Sequence, residues 1–278
     1  MTIQELKVKS WEVRQNVVDI IMAGGAGHIG GDMSMLNSLY VLYKNHLRVS
    51  PETVNDPDRD RFVLSKGHSV EALYAVLADC GFLDLEEIKV KFSKFGSPYI
   101  GHPNNKLNGI EMNSGSLGHG LPVCVGMALA GKMDKKDYRV YTIMGDGELA
   151  EGSVWEAAMA ASNYKLDNLC AVIDRNGLQI SGYTEDVMKQ EDLAARWTAF
   201  GWHVLSIDGD SIDTIDTAFA QAKEIKGKPT MIIANTTKGY GSAVMENKAG
   251  WHHHTPTAEE YAQIKADFEA RKEAAVHG

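Results

Sequence analysis

Glycines and oxygen-bearing side chains follow two neighbouring apolar stretches of the chain. The sequence GDGELAEG begins at Gly145, directly after the β-branched run 139–144, and leads into an alanine-rich stretch typical of a helix. Asn176 follows the next apolar run, 169–173. One strand end, one helix and the next strand end make a βαβ unit. We therefore expect Asp146 and Asn176 at the same edge of a parallel sheet.

That edge is suited to binding a phosphate together with a metal ion. Glycines at a strand-to-helix turn let main-chain N–H groups approach a phosphate, and ligands of open α/β sheets bind at this edge. The Asp146 carboxylate would repel a phosphate unless a divalent cation lay between them. Oxygens from Asp146, Asn176, a nearby carbonyl and two phosphates would complete an octahedral Mg²⁺ site or a looser Ca²⁺ site. Either motif alone could be an ordinary turn, but their spacing favours the site.

Three glycine–histidine corners supply imidazoles from separate parts of the chain. His28 lies in GGAGHIGG, which reads as an irregular loop before a helix capped by Asp32 or Ser34. His68 ends the sequence SKGH after a short strand, and His102 lies in the irregular sequence GHP. Each histidine could simply be satisfied by a local backbone bond. Their repetition favours a site that uses imidazoles to move protons near neutral pH.

The composition and charge of the chain argue against several classes of protein. The chain has 278 residues, of which 44% are hydrophobic and 23% charged, as in a globular protein with a large core. A net charge of −9 argues against a nucleic-acid partner, and we expect no membrane segment and no signal peptide. The three cysteines lie in apolar contexts without metal-ligand spacing, which favours reduced thiols and a cytoplasmic location.

Strands and helices alternate along the chain. This pattern predicts an α/β fold with a parallel sheet and helices on both faces, in a single domain over residues 1–278. A polar helix at about 257–275 is expected to end it. The predicted strands are 61–65, 139–144, 169–173, 202–207 and 229–236.

The strand-end motif resembles a known cofactor-binding pattern. GDG, a helix and a strand ending in Asn resemble the thiamine diphosphate motif, and the longer segment 145–182 resembles the transketolase family. GHIGG, SKGH, GHP and SGSLGHG occur here in the order in which that family carries them. The resemblance extends from about residue 11 to 256, and it implies the thiamine diphosphate-binding fold.

The resemblance implies which residues hold the cofactor and its metal. Asp146, Asn176 and the carbonyl of Leu178 are implied to bind Mg²⁺, or alternatively Ca²⁺ or Mn²⁺. The further positions implied to contact thiamine diphosphate are His68, Gly115, Ser116, Leu117, Gly145, Gly147, Glu148 and His252, beside Asp146 and Asn176 themselves.

It also implies a substrate channel lined by histidines. His28, His102 and His252 are the implied catalytic residues, with His253 as an alternative to His252. Glu151 is implied to help bridge subunits. The channel would bind a sugar phosphate, and the reaction would transfer a two-carbon ketol unit from a ketose phosphate to an aldose acceptor.

Three positions depart from the family pattern. Arg175 precedes Asn176 where Asp or Asn is common, which weakens the metal assignment. His119 stands where Gln is frequent, and Ser116 stands in place of Pro. The last two changes leave the substrate preference open.

The length also departs from that of a full transketolase. Such an enzyme is more than twice as long and contains a second domain whose glutamate contacts the aminopyrimidine. We therefore expect the N-terminal subunit of a split transketolase, active with a separately encoded C-terminal subunit in an α₂β₂ heterotetramer.

Two alternatives remain open at this point. One is a subunit of another thiamine diphosphate enzyme, related to 1-deoxyxylulose-5-phosphate synthase or to a 2-oxo acid dehydrogenase. The other is a non-catalytic module that binds the cofactor or a partner. The histidine corners favour a transketolase, because a binding module needs only the metal motif.

Overall fold

The computed structural model describes residues 1–277, which contain one main sheet and a small hairpin. The strands of the main sheet are β1 (Arg61–Leu64), β2 (Val140–Gly145), β3 (Leu169–Arg175), β6 (His203–Asp208) and β7 (Thr230–Asn235). The hairpin consists of β4 (Leu178–Gln179) and β5 (Gly182–Tyr183). The two strands flanking the predicted βαβ unit are thus present at nearly the expected positions.

The main sheet is parallel throughout. Its strand order is β1-β2-β3-β7-β6, so the chain passes from β3 to the outer position of β6 and returns through β7. Gly145 at the end of β2 lies opposite Asp174 on β3. This register confirms that Asp146 and Asn176 leave the sheet at the same edge.

Helices cover both faces of this sheet. They are α1 (Ile3–Gly24), α2 (Ile29–Val41), α3 (Val70–Asp79), α4 (Leu85–Lys91), α5 (Gly120–Met133), α6 (Gly152–Asn163), α7 (Thr184–Val187), α8 (Leu193–Ala199), α9 (Ile212–Glu224) and α10 (Ala258–His277). A π-helical turn, Leu42–His46, extends α2, and short 3₁₀ turns occupy Gly147–Ala150 and Ala249–Trp251.

Side chains of each central strand alternate between two apolar cores. Cys170 and Val172 of β3 face the core shared with α1, α2, α3 and α9, whereas Ala171 and Ile173 face the core shared with α5, α6 and α8. A strand buried on both faces must be apolar almost throughout, which explains the continuous apolar runs in the sequence. The predicted fold class is confirmed.

The start of α2 differs from the prediction. The helix begins at Ile29 with His28 at its N-cap, so Gly30 and Gly31 are helical rather than part of a loop. A Cβ on Gly30 would lie 2.6 Å from the carbonyl oxygen of Trp251, and one on Gly31 would lie 2.7 Å from Ser69 Oγ. These glycines are present because other segments pack directly on the helix, not because the backbone is irregular.

The C-terminal helix matches its expectation closely. It spans Ala258–His277, while the predicted single domain extends to Gly278, which lies outside the described residues. Among the helices within residues 1–277, none combines the length and the apolar character needed to cross a bilayer.

Candidate active site

A cavity of about 370 Å³ opens at the carboxyl ends of β1, β2 and β3. It brings together the two strand-end motifs, the first turn of α2 and segments from the loops after β1 and β7. Its lining residues are His28, Gly31, Lys66, His68, Gly115, Leu117, Gly145, Asp146, Gly147, Glu148, Asn176, Leu178, Gln179, Ile180, Ser181, Lys238 and His252.

Asp146 is held between the two strand ends by main-chain donors. Its Oδ1 accepts a hydrogen bond from the N–H of Gly147 at 2.8 Å, and its Oδ2 accepts one from the N–H of Gly177 at 2.6 Å. Burial raises the pKa of Asp146 to about 6, and the negative charge of Asp174 adds to this rise. A carboxylate destabilised in this way is one that a bound cation would stabilise.

Two neutral oxygens lie beside this carboxylate. Asn176 donates through Nδ2 to Asp174 Oδ2 at 3.0 Å, while its Oδ1 accepts the N–H of Leu178 at 3.1 Å. The carbonyl of Leu178 accepts a hydrogen bond from Lys238 Nζ at 3.0 Å. In the described part of the chain no three His, Cys, Asp or Glu side chains converge as a metal site. The residues therefore fit a hard cation held by one carboxylate and neutral oxygens, with phosphate oxygens completing its shell.

Two lysines that the sequence interpretation did not assign supply positive charge to the cavity. Lys66, which is 1% exposed, donates to Asp174 Oδ2 at 2.5 Å and to the Gly31 carbonyl at 3.0 Å. Lys238 is equally buried, and burial together with the charge of Lys66 lowers its pKa to about 8. Both lysines closely follow apolar strands, and this position is the sequence feature that could have identified them as residues of the site.

The charges of these lysines are only partly balanced. Burial alone would raise the pKa of Asp174, but Lys66 and the hydroxyls of Ser34 and Thr236 hold it below its usual value. Asp174 is therefore an anion paired with Lys66, whereas Lys238 contacts the Leu178 carbonyl and His252 and feels the charges of Asp174 and Asp146 without forming an ion pair with either. A diphosphate is the kind of ligand that would complete the balance.

Glu148 ties the glycine turn to the loop that precedes α5. One carboxylate oxygen accepts hydrogen bonds from the Ser65 hydroxyl and from the N–H of Gly118 at 2.8 Å, and the other accepts from the N–H of Gly145 at 3.0 Å. Burial raises the pKa of Glu148. The Glu148 carboxylate thus lines the cavity and fixes the glycine turn relative to the loop before α5.

The loop before α5 contributes two of its three predicted residues. Gly115 and Leu117 line the cavity, but Ser116 is exposed and its hydroxyl contacts His119 Nδ1 at 3.3 Å. Gly115 has φ +133°, and a Cβ there would lie 2.4 Å from His102 Cδ2. The side chain of Ser116 points outward, so the cavity wall does not include it. The preceding residue, Gly115, packs against the ring of His102.

The predicted histidines lie close together, and of these His28, His68 and His252 line the cavity, whereas His102 does not. The ring of His28 lies 5.2 Å from that of His68, 6.3 Å from that of His102 and 5.5 Å from that of His252, measured between centroids. The ring of the exposed His253 lies 4.7 Å from that of His28. These five residues are hereafter the histidine cluster. Of the two alternatives, His252 lines the cavity and His253 does not.

Most of the cluster is neutral at neutral pH. Burial lowers the pKa of His28 to about 4 and that of His252 to about 3, and nearby imidazoles and lysines add to both shifts. Burial also lowers the pKa of His68 and of His102. Neutral imidazoles offer one donor and one acceptor each, which suits the hydroxyl groups of a sugar.

Contacts with the segment 249–254 hold the cluster in place. His28 and His254 form a backbone bridge, and Lys238 Nζ lies 3.0 Å from His252 Nδ1. His254 in turn contacts Glu260 of α10 at 3.0 Å. The segment therefore closes one side of the cavity and connects it to the C-terminal helix.

The side chains that depart from the family pattern are not among those that line the cavity. Arg175 points to Glu185 at 3.7 Å, and His119 is exposed at the N-cap of α5. Glu151 is exposed before α6, and its aliphatic carbons lie against Gly118. Arg175 therefore does not compete with a cation at Asp146.

Comparisons with known proteins agree with this geometry. A family model for the thiamine diphosphate-binding domain of transketolase matches residues 6–276. A named subunit of apulose-4-phosphate transketolase, from Phocaeicola vulgatus, is 50% identical over 98% of this chain and 97% of the relative. A 6-deoxy-6-sulfo-D-fructose transketolase subunit of Clostridium sp. (strain MSTE9) is 43% identical over 92% of this chain and 94% of the relative.

Solved transketolases share the fold but are longer. The enzyme from Campylobacter jejuni superposes with a TM-score of 0.91 at 32% identity, covering 100% of this chain and 47% of that chain. Human transketolase is 42% identical over 90% of this chain and 40% of its own length. The chain thus spans less than half of these longer relatives. It belongs to the transketolase family and corresponds to that family's thiamine diphosphate-binding domain.

Proposed function

We propose that this chain is the N-terminal subunit of a split transketolase. It would transfer a two-carbon ketol unit from a ketose phosphate to an aldose or aldose phosphate acceptor. The observation that carries the proposal is the cavity itself, which contains the side-chain and main-chain oxygens of the strand ends, two buried lysines and the imidazoles of His28, His68 and His252. The oxygens and lysines suit a metal diphosphate, and the imidazoles suit a hydroxylated substrate.

The metal end is assigned to Asp146, Asn176 and the Leu178 carbonyl. These oxygens would hold Mg²⁺, with Ca²⁺ or Mn²⁺ as substitutes, and the backbone at Gly145 and Gly147 would approach the diphosphate. Lys238 would then move from the Leu178 carbonyl to a phosphate oxygen, since a cation and an ammonium group cannot share that carbonyl without repulsion.

The substrate end is assigned to His28, His102 and His252, with His68 nearer the cofactor. Bound thiamine diphosphate supplies the carbon nucleophile and the electron sink of ketol transfer. The imidazoles orient the sugar by hydrogen bonds to its hydroxyls, and one of them removes or returns a hydroxyl proton as the carbon–carbon bond breaks or forms. Because they are neutral, each can act as a base without first losing a proton.

A separately encoded subunit would complete the site. This chain has nearly the length of the relatives that are named as transketolase subunits, and solved single-chain transketolases are about twice as long. Exposed apolar side chains near the cavity mouth and on the adjoining hairpin are available for such a partner: Ile180, Tyr183, Val187 and Met188. The partner would supply the glutamate that contacts the aminopyrimidine, in an α₂β₂ heterotetramer located in the cytoplasm.

The substrate class follows from the named relatives and from the site. Relatives that match over most of their length are named for apulose 4-phosphate and for 6-deoxy-6-sulfo-D-fructose, which are both ketoses with an anionic group at the far end. We propose a ketose of this type as the donor. The alternative thiamine diphosphate enzymes gain no support from the relatives, and a non-catalytic module would not need the histidine cluster.

Reconstitution tests the proposal. The full chain would be purified alone and together with a candidate C-terminal subunit, and ketol transfer assayed with thiamine diphosphate and Mg²⁺ at saturation. We expect turnover only from the pair. Robust turnover by the lone chain would refute the split-enzyme proposal, and failure of every pairing to turn over ketose donors, despite tight cofactor binding, would refute ketol transfer.

A further inference from the structure

A pair of buried carboxyl groups lies behind the histidine cluster, and none of the roles proposed above uses it. Asp32, in the first turn of α2, and Glu71, in the first turn of α3, are both 0% exposed. The two side chains interact directly. Within residues 1–277, Asp32 Oδ2 and both carboxyl oxygens of Glu71 find no N–H or O–H donor.

At least one of these two carboxyl groups must carry a proton. Two carboxylates in contact in an apolar environment cannot both be ionised, and a carboxyl group that keeps its proton can donate it to the other. Burial raises the pKa of Asp32, and burial together with the charge of Asp32 raises the pKa of Glu71 well above its usual value. The pair therefore carries one shared proton at neutral pH.

The pair connects the turns that present two members of the histidine cluster. The N–H of Asp32 donates to the carbonyl of His28 at 3.1 Å, and its Oδ1 accepts the N–H of Ala72 on α3 at 2.9 Å. Glu71 Oε1 lies against Gly27, where a Cβ would approach it to 2.9 Å. The carboxyl pair thus sets the distance between the turn before α2 and the first turn of α3, which closely follows His68.

The helix α3 also holds a third histidine. Tyr74 of α3 donates its hydroxyl to the carbonyls of Ile100 and His102, at 2.9 and 3.3 Å. The start of α3 is therefore connected to the turns of His28, His68 and His102 alike. A displacement of the start of α3 would therefore change the environment of all three imidazoles.

The other titratable groups that face the pair come from three elements. They are Lys66 from the end of β1, His28 from the turn before α2 and Tyr74 from α3, while α1 presents the apolar Ile21. Burial lowers the pKa of His28 to about 4 and raises that of Tyr74 above its usual value. Lys66 is paired with Asp174 at 2.5 Å.

We propose that Asp32 and Glu71 are a proton-sharing positioning pair that fixes the turns of His28 and His68 relative to each other. When the shared proton leaves to solvent, two negative charges face each other between α2 and α3, and their repulsion separates the two turns. The inference concerns the folded chain and does not depend on ketol transfer, so its test needs neither cofactor nor partner.

Histidine NMR signals of the full chain provide the test. The imidazole signals of His28 and His68 would be followed from about pH 7 upward, where both rings stay neutral. Every sample carries Lys238→Met, because the charge of Lys238 acts on both rings and its pKa is about 8. We expect one common step on the alkaline side of neutrality, where the pair loses its shared proton. Asp32→Asn and Glu71→Gln should each abolish the step, because an amide donates to the remaining carboxylate without a shared proton.

A matched variant separates this effect from a general loss of stability. Asp216 is a carboxylate that contacts a different histidine, His46, at 2.8 Å, so Asp216→Asn should leave the step unchanged. The absence of a step when Asp32 and Glu71 are both present, or its persistence in either folded amide variant, would overturn the proposal. Thermal unfolding of each variant shows which of the two is folded, and one folded variant is sufficient for the decision.

Discussion

Removing the buried ammonium group of Lys66 is the perturbation whose effect the structure defines best. Lys66→Met keeps the length and much of the volume of the side chain but deletes the charge that lies 2.5 Å from Asp174. The carboxylate of Asp174 then stays buried, at 1% exposure, without a cation. It retains hydrogen bonds from Ser34 at 2.7 Å, from Asn176 at 3.0 Å and from Thr236.

The expected cost follows from those remaining contacts. Breaking a buried ion pair by removing one partner costs about 3–5 kcal/mol, and the three retained hydrogen bonds place this case near the lower end. The double variant Lys66→Met/Asp174→Asn removes the uncompensated charge and should recover most of the loss. Asn176 takes its orientation partly from Asp174, so the single variant should also weaken metal-dependent cofactor binding.

Urea unfolding of the full chain without ligands measures the first effect, and calorimetry with Mg²⁺ and thiamine diphosphate measures the second. Lys132→Met is the matched control, because Lys132 forms an ion pair of 2.9 Å with Asp167 at the surface. That variant should cost no more than about 1 kcal/mol. If Lys66→Met costs as little as the control, the electrostatic description of this wall of the cavity is wrong.

Four further outcomes are expected. Asp146→Ala should weaken Mg²⁺-dependent thiamine diphosphate binding by at least about 10–100-fold while the chain stays folded, and unchanged affinity by calorimetry would remove Asp146 from the metal site. His28→Ala and His102→Ala should keep cofactor affinity but lose about 10²–10⁴-fold in kcat/KM of the reconstituted enzyme, and wild-type turnover would make either residue a bystander. Gly115→Ala should displace His102 and reduce turnover, because its Cβ would lie 2.4 Å from that ring, whereas Gly126→Ala on α5 meets no atom within 4 Å and should be tolerated. The folded pKa of His28, about 4, lies below its unfolded value of 6.5, so wild-type stability should fall more steeply than that of His28→Ala as pH drops from 6.5 to 4; parallel stability curves would contradict this.

The strand-end chemistry could be predicted from the sequence because it depends on connectivity. Gly145 and Asn176 each follow an apolar strand, and one crossover between parallel strands necessarily puts both at the same edge. The histidine corners likewise mark turns next to that edge. For such residues, local pattern and topology together determine the position.

Other features depend on contacts between distant segments, which local pattern does not contain. Gly30 and Gly31 look like loop residues, yet they are helical because Trp251 and Ser69 pack against them. Lys238 looks like an ordinary surface lysine after a strand, but the tertiary structure buries it at 1% exposure. Ser116 points outward beside Gly115, which packs against His102 from another loop. The residues next to Ser116 in the sequence give no indication of this direction.

The bridge between His28 and His254 has a consequence for how the site is made during synthesis. The two residues come from opposite ends of the chain, so a nascent chain that ends before residue 254 lacks one wall of the cavity. Domains that fold during translation complete their structure only when such distant segments have emerged. Incomplete chains therefore lack a closed cavity, and capture of a ligand that needs this wall must await the C-terminal segment.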